Sequence, residues 1–461
     1  MIFKFNVSKE NEEKIIKFLS EECGPLEVVR KLTDDPATIA VSIYTEKAKI
    51  AESLERLLDE FARQYGISPS EISEKKLEWT TNSMPVLMRL AEEYKDEKPL
   101  EDKTVLVNTH LKENTGVLVH ILKKWGANVI VVPVPYSGDR SVYELLKRDV
   151  RIYGKPRMDS DREMQSAIEQ ALSENQVDII LEDGGWITKH ITEFGYSASI
   201  IGSVEQTKAG VNLAKELENE GKLFYPIITV GDSPLKESAE SETATPESII
   251  KNIIHASNWS LMGKTVTIVG FGPVGSGIAK IARDHGAYVM IVEKDPIRML
   301  SALNRGFRVE NLEEAISKSD IVITATGKPN VVPKSALLHA KNGALLVNAG
   351  SKNYEIDVNG LKEIAISSAP TSRDGIRKYK IKDAKGFEKT LFLVADGYPI
   401  NLAYGEGTPS DAIDITLSLM AECAIHLVQN EIGVGVHPVP RRIEEKIVKF
   451  KLESMGLNAN F

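Results

Sequence analysis

Two doubly wound parallel-sheet domains, a small N-terminal α/β module and a helical C-terminal segment are the α/β architecture this sequence predicts. Three observations predict it. From about Lys103, short apolar runs alternate with amphipathic stretches, which implies a parallel sheet covered on both faces. Past the middle, "TVTIVGFGPVGSGIAKIARDHGAYVMIVEKD" (265–295) places a glycine-rich turn between an apolar strand and a helix, the pattern of a dinucleotide-binding unit. The length of 461 residues exceeds one ordinary core, so two or three domains are expected.

Taken in order, residues 1–75 read as the small module: a strand at "IFKFNV", a charged helix from Lys9, a strand at "ATIAVSIY" and a helix through "KIAESLERLLDEFARQY". Nothing in it clusters catalytic residue types, so packing or oligomerisation is the expected role. Residues 76–245 read as the substrate domain, with strands at "KTVLVNTH", "NVIVVPV", "DIILEDGG", "SASIIGS" and "YPIITVGD". Ligands bind beyond the carboxyl ends of such strands, which directs attention to His110, Asp183, Glu205 and the segment from Asp232. The polar run "GDSPLKESAESETATPES" (231–248) reads as a connector, with Thr245 as N-cap and Pro246 in the first turn of the next helix. Residues 246–401 form the Rossmann domain, including strands "IVITATG" and "ALLVNAG" and a hairpin from about Ile376 to Val394. Residues 402–461, mostly helical and interrupted by "GVGVHPVP", return to the substrate domain.

Bulk properties narrow the function. With 42% hydrophobic residues, 27% charged residues and a net charge of −9, the chain lacks the basic balance that nucleic acid or an anionic membrane surface would demand. A small-molecule substrate is favoured. No apolar signal core or bilayer-length run is visible, so a cytoplasmic protein is expected. Cys23 and Cys423 lie far apart and suggest neither a disulfide framework nor a metal site.

In the glycine turn, Gly270 permits the tight bend, Gly272 lets the backbone approach a pyrophosphate, and Gly275 allows close helix–strand packing. Pro273 and Val274 open the helix between them. Glu293, ending the next strand, stands where a carboxylate accepts both ribose hydroxyls and repels a 2′-phosphate, so NAD is expected over NADP. Arg298, five residues on, weakens that exclusion.

The order of motifs from about Glu78 to Leu457 resembles the S-adenosylhomocysteine hydrolase family. The resemblance rests on "MPVLMRLAEEYKDEKPLEDKTV", "NTHLKENTGVLVHILKKWGANV", "LEDGGWIT", "GSVEQTKAGVNL", "VGDSPLKES" and "VADGYPINLAYGEGTPS". It implies a leading domain that holds a nucleoside thioether and a trailing domain that holds NAD. It implies transient oxidation of the ribose 3′-hydroxyl, which acidifies the 4′ C–H so that the 5′ thiol leaves, water adds and the ketone is reduced again. By the same resemblance His110 lies beside the leaving group, Asp183 serves acid–base work, and Lys236 bridges the 2′ and 3′ hydroxyls. Thr207 reaches the cofactor from the substrate domain, and Asn348 and Asn401 line the nicotinamide pocket. Thr326, after "IVITA", is counted with the cofactor residues. A homodimer or homotetramer is implied as well.

Departures from the family pattern concentrate around the substrate. Adenine-side residues become Lys112 and Asn114, and the second glutamate of a pair becomes Gln206. An Asp-Asn step becomes Glu240 and Ser241, and an active-site cysteine becomes Thr245. A turn aspartate becomes Trp186, the histidine of a Gly-His-Phe becomes Ser351, and the histidine of a Gly-His-Pro-Ser becomes Thr408. Gln206 and Glu240 are counted with His110, Asp183 and Lys236 as catalytic candidates. The last residue, Phe461, comes without the family's Lys and Tyr tail, which bears on the tightness of NAD binding. His437, in "GVHPVP", reads as structural. Three readings stay open: a hydrolase of this type, with its substrate shifted to another nucleoside; a conventional NAD dehydrogenase; and a catalytically silent NAD-binding regulator.

Overall fold

The computed structural model describes residues 2–8, 17, 27–32, 38–44, 69–158, 160–196 and 200–458, in two compact units, 1–74 and 75–461. The first unit holds an antiparallel sheet of β1 (Ile2–Ser8), β2 (Glu27–Leu32) and β3 (Thr38–Tyr44) in the order β1-β3-β2. Strands β1 and β3 are those expected. Strand β2 was not, because "EVVRKL" has no period-two alternation and is defined by pairing with β3. Of the helix expected from Lys9 only Lys17 is described, and it is helical, while the helix expected around Leu54 lies outside the described residues.

In the second unit, β4 (Thr104–Asn108), β5 (Asn128–Val131), β6 (Arg151–Ile152), β7 (Ile179–Glu182), β8 (Gly202–Glu205) and β9 (Pro226–Thr229) join β18 (Gly435–Pro438) in an all-parallel sheet, ordered β18-β9-β8-β7-β4-β5-β6. Alternate residues enter opposite cores. Val105, Val107, Ile179 and Leu181 pack on one face, and Leu106, Ile130, Ile180 and Ile227 on the other. That is why these strands read as continuous apolar runs. Strand β8 begins later than "SASIIGS" suggests, where its ladder with β7 starts at Gly202.

A second sheet contains β10 (Thr265–Val269), β11 (Tyr288–Val292), β12 (Arg308–Val309), β13 (Ile321–Thr324), β14 (Leu345–Asn348), β15 (Ala365–Pro370), β16 (Ile376–Lys382) and β17 (Glu388–Val394). Its order is β12-β11-β10-β13-β14-β17-β16-β15, parallel as far as β17 and antiparallel beyond it. The sheet is therefore mixed, its last two pairings built on the expected hairpin.

The named helices are α1 (Pro85–Glu93), α2 (Glu113–Lys124), α3 (Trp186–Phe194), α4 (Lys208–Asn219), α5 (Thr245–Ser257), α6 (Pro273–Asp284), α7 (Ser410–Gln429) and α8 (Arg441–Ser454). Helix α7 is buried along most of its length, and its Asp414 accepts the amides of Val86 and Leu87 at 2.9 Å each, capping α1. "GVGVHPVP" is no mere interruption: it supplies edge strand β18 beside β9, with the imidazole of His437 bonded to the carbonyl of Gly433.

The stretch 231–248 differs from the irregular connector expected. After a short turn at Pro234–Lys236, residues Glu237–Ala244 are π-helical and run directly into α5. Thr245 is helical, with φ −63° and ψ −48°, so it is not the N-cap. Ser233 is: its hydroxyl accepts the Lys236 amide, and Pro234 follows at the first helical position. The first Ser-Pro outcompetes the later Thr-Pro because Glu and Ala, between them, favour helix despite lacking apolar periodicity.

Candidate functional site

The terminal residues of four adjacent strands stand in register: Asn108 opposite Glu182, Glu182 opposite Glu205, Glu205 opposite Thr229. The next residues therefore converge at the carboxyl edge of the first sheet. His110 Nε2 lies 3.5 Å from Asp183 Oδ2, and the Gln206 amide donates to the same carboxylate. His110 Nδ1 pairs with Ser137 Oγ. Burial lowers the imidazole pKa, with Asp183 opposing the shift, so the ring is neutral near pH 7 and able to take up a proton. Among the described residues Gln206 Oε1 is buried without a partner. A buried orphan acceptor at this edge is a place for a ligand donor.

Lys236, at the end of the short turn after β9, donates to Ser241 Oγ at 3.0 Å and lies 3.5 Å from Glu240 Oε1. The other Glu240 oxygen accepts from Thr416 of α7. The π-helical turn is what brings Lys236, Glu240 and Ser241 together. Behind this edge, Glu205 accepts the amides of Gly184, Gly185 and Thr207 and the Thr207 hydroxyl. It fixes the turn that carries Asp183 and is itself enclosed. Burial, with Glu182 and Asp183 nearby, raises its pKa well above the ordinary carboxylate value. Thr207 caps α4, accepting the Gly210 amide at 3.1 Å.

Strands β10, β11, β13 and β14 end in register in the same way. Gly270 has φ +102°, which glycine alone tolerates freely, and a Cβ there would lie 2.7 Å from the Ala325 carbonyl oxygen. A Cβ at Gly275 would lie 2.1 Å from the Gly270 carbonyl oxygen, whereas at Gly272 the nearest atom is 3.6 Å away, on Arg298. The middle glycine faces open space at the N-terminus of α6, where amides and helix dipole favour a phosphate. One Glu293 oxygen accepts the Phe271 amide at 2.7 Å, and the other accepts the amides of Lys294 and Asp295. The first oxygen retains capacity for a hydroxyl donor. Pro273 and Val274 form the opening turn of α6, and Arg298 is exposed beside the loop. These residues fit the pyrophosphate and ribose of a dinucleotide.

Thr326 packs against Gly270 and donates to Glu355 Oε2 at 2.9 Å. Asn348 uses its full capacity within the protein: it donates to the carbonyls of Gly397 and Lys352 and accepts from Thr324 and the Gly350 amide. Asn401 is buried in the helical turn after Tyr398. Sequence reasoning missed Tyr136, Ser137, Lys352 and Glu355. The first two follow β5, so the strand-end rule applied to "NVIVVPVPYS" would have found them. Lys352 follows β14 and falls under the same rule, whereas Glu355 gave no signal, since its partners Thr326 and Gly327 come from the loop after β13.

Two of the departures noted in the sequence meet in space, and two others find partners elsewhere in the chain. Thr245 and Thr408 are joined hydroxyl to hydroxyl at 3.0 Å. The Lys352 ammonium sits 3.6 Å from the centroid of Trp186. Lys112 is buried and donates to the Gly405 carbonyl at 3.2 Å. Among the described residues no cluster suits a metal ion, and no helix is long and apolar enough to cross a membrane.

Residues 64–196 match the family model described as S-adenosyl-L-homocysteine hydrolase, and residues 242–407 match that family's NAD binding domain. The chain is 33% identical over 396 residues to an adenosylhomocysteinase of Sulfolobus acidocaldarius, covering 85% of this chain and 94% of that one. It is 35% identical over 403 residues to an S-inosyl-L-homocysteine hydrolase of Methanopyrus kandleri, covering 86% and 94%. An adenosylhomocysteinase of Thermotoga maritima is 34% identical over 390 residues, covering 83% and 95%.

Proposed function

Because this chain belongs to the S-adenosyl-L-homocysteine hydrolase family, we propose that it cleaves the thioether bond of a 5′-nucleosyl homocysteine with bound NAD, on a nucleoside other than adenosine. The convergence of His110, Asp183, Gln206 and the Lys236–Glu240 pair at one sheet edge is the observation that carries this reading. NAD, when bound, supplies reversible oxidation of a ribose hydroxyl. Lys236, oriented by Glu240 and Ser241, holds that hydroxyl and relays its proton to the Glu240 carboxylate. Asp183 works on the carbon-bound proton, and neutral His110, steadied by Ser137, handles the proton exchanged with the 5′ sulfur. Thr207 shapes the loop that approaches the cofactor. Asn348, whose bonds are all internal, positions the nicotinamide side through its loop, with Asn401 and Thr326 completing that wall. Residues 76–245 with 402–461 serve as the substrate body and 246–401 as the cofactor body.

The shifted base rests on Lys112. At a position that the resemblance assigns to the base, an ammonium is a donor only, matching a ring carbonyl better than the amino group of adenine. An inosine-type 6-oxopurine fits that demand, and a relative of similar identity is an S-inosyl-L-homocysteine hydrolase.

Purified protein of known NAD content, given S-adenosyl- or S-inosyl-homocysteine, tests this by thiol release and nicotinamide absorbance followed together. Thiol release with transient reduction, faster for the inosyl compound, is expected. Stoichiometric free NADH would instead identify a dehydrogenase. Bound NAD with neither signal for either compound would favour the regulatory reading.

A further inference from the structure

Trp186 opens α3 directly after the Asp183–Gly185 turn of the first sheet, whereas Lys352 follows β14 of the second. The ammonium of Lys352 nevertheless lies on the indole face, 3.6 Å from its centroid. The loop that carries it is tied to the catalytic edge. Asn348 donates to the Lys352 carbonyl, and the Tyr136 hydroxyl donates to the adjoining Ser351 carbonyl. The Tyr136 ring in turn packs edge-on against His110, with centroids 5.4 Å apart, and stacks on Tyr398 at 4.9 Å.

Among the described residues the Lys352 ammonium makes no hydrogen bond or ion pair. Burial lowers its pKa, with Asp161 the strongest group opposing the shift and Asp183 and Glu205 contributing. A largely desolvated cation without an anion is costly, and an indole face compensates only in part. A carboxylate would compensate more fully, through charge-assisted hydrogen bonds. The proposed substrate has one: its amino-acid tail hangs from the 5′ sulfur, beside His110, the residue that Tyr136 connects to the Lys352 loop.

Resting on the nucleoside-thioether reading, we propose that Lys352 receives the carboxylate of the substrate's amino-acid tail, with Trp186 holding the ammonium in position for it. Lys352 is then a specificity residue contributed by the cofactor-side sheet, and it selects the homocysteine thioether over shorter 5′-thio nucleosides.

The test compares one nucleoside carrying either a homocysteine or a 5′-methylthio group, by kcat/KM and by calorimetric binding, in the wild-type holoenzyme and in Lys352→Met, Lys352→Arg and Trp186→Phe. Lys352→Met is expected to weaken the homocysteine compound by about 10- to 100-fold and leave the methylthio compound within about 2-fold. The methylthio compound thereby serves as the control for folding. Lys352→Arg should restore much of the selectivity, and Trp186→Phe should lose less of it than Lys352→Met. Equal losses on both compounds would overturn the proposal, showing that the pair only fastens the two sheets together, and so would no loss at all. A wild-type enzyme that neither binds nor cleaves any nucleoside thioether would overturn the proposed function itself, and this inference with it.

Discussion

The two sheets present carboxyl edges of the same design, four strand ends in register, yet they build their sites from different material. The cofactor edge takes its polar groups largely from the backbone, at the glycine turn and the start of α6, anchored by Glu293. The substrate edge takes them from side chains: His110, Asp183, Gln206, Lys236 and Glu240, delivered by four strands and a π-helical turn. A backbone-built site fails when the chain cannot follow its path. A site built from side chains fails one function at a time.

The largest effect expected from separating the two is Lys236→Met, which should slow ribose oxidation by about a thousandfold while leaving NAD content unchanged. Single-turnover nicotinamide absorbance and cofactor extraction measure the two quantities, and parallel loss of NAD would break the distinction. Gly275→Ala should do the reverse. Its methyl group would press on the Gly270 carbonyl, lowering stability by roughly 1–3 kcal/mol and emptying the cofactor site, as melting curves with and without NAD would show. Glu293→Ala sharpens the comparison further, weakening NAD by about 10- to 100-fold and narrowing its advantage over NADP, with Arg298 close by.

On the substrate side, the acid limb of kcat/KM should lie below the ordinary imidazole value of 6.5, because burial holds His110 neutral to lower pH. A limb above 6.5 that disappears in His110→Asn would contradict that assignment. The smallest effect concerns Asp414, which caps α1, and whose pKa burial raises from 3.8 to about 6. The folded state keeps this proton where the unfolded chain has lost it, so stability should decline as pH rises through that window and level off above it. Thermal melts of Asp414→Asn should show a flatter slope there.

This difference in material also decides what was legible in the sequence. The glycine turn and Glu293 are a contiguous pattern whose spacing carries geometric meaning, and the structure keeps that geometry. The alternation of strands and helices was legible because buried parallel strands must be apolar on both faces. At the substrate edge, single polar residues gained meaning only from the family resemblance, since a lone histidine or lysine has no spacing to read. The helical character of 234–244 was hidden because a polar π-turn shows no 3.6-residue apolar stripe. Tyr136 and Lys352 follow strand ends and could be singled out, but what each does was not legible, because each acquires its partners across the two sheets.

The polypeptide passes between the sheets twice, through the helical stretch ending in α5 and through the segment leading into α7. These passages touch: Ser248 donates to the Gly407 carbonyl at 2.6 Å, and Thr245 meets Thr408. Two tethers fastened to each other behave mechanically as one pivot. A load that pulls on either passage is therefore shared by both, and the two bodies are joined at one place rather than at two.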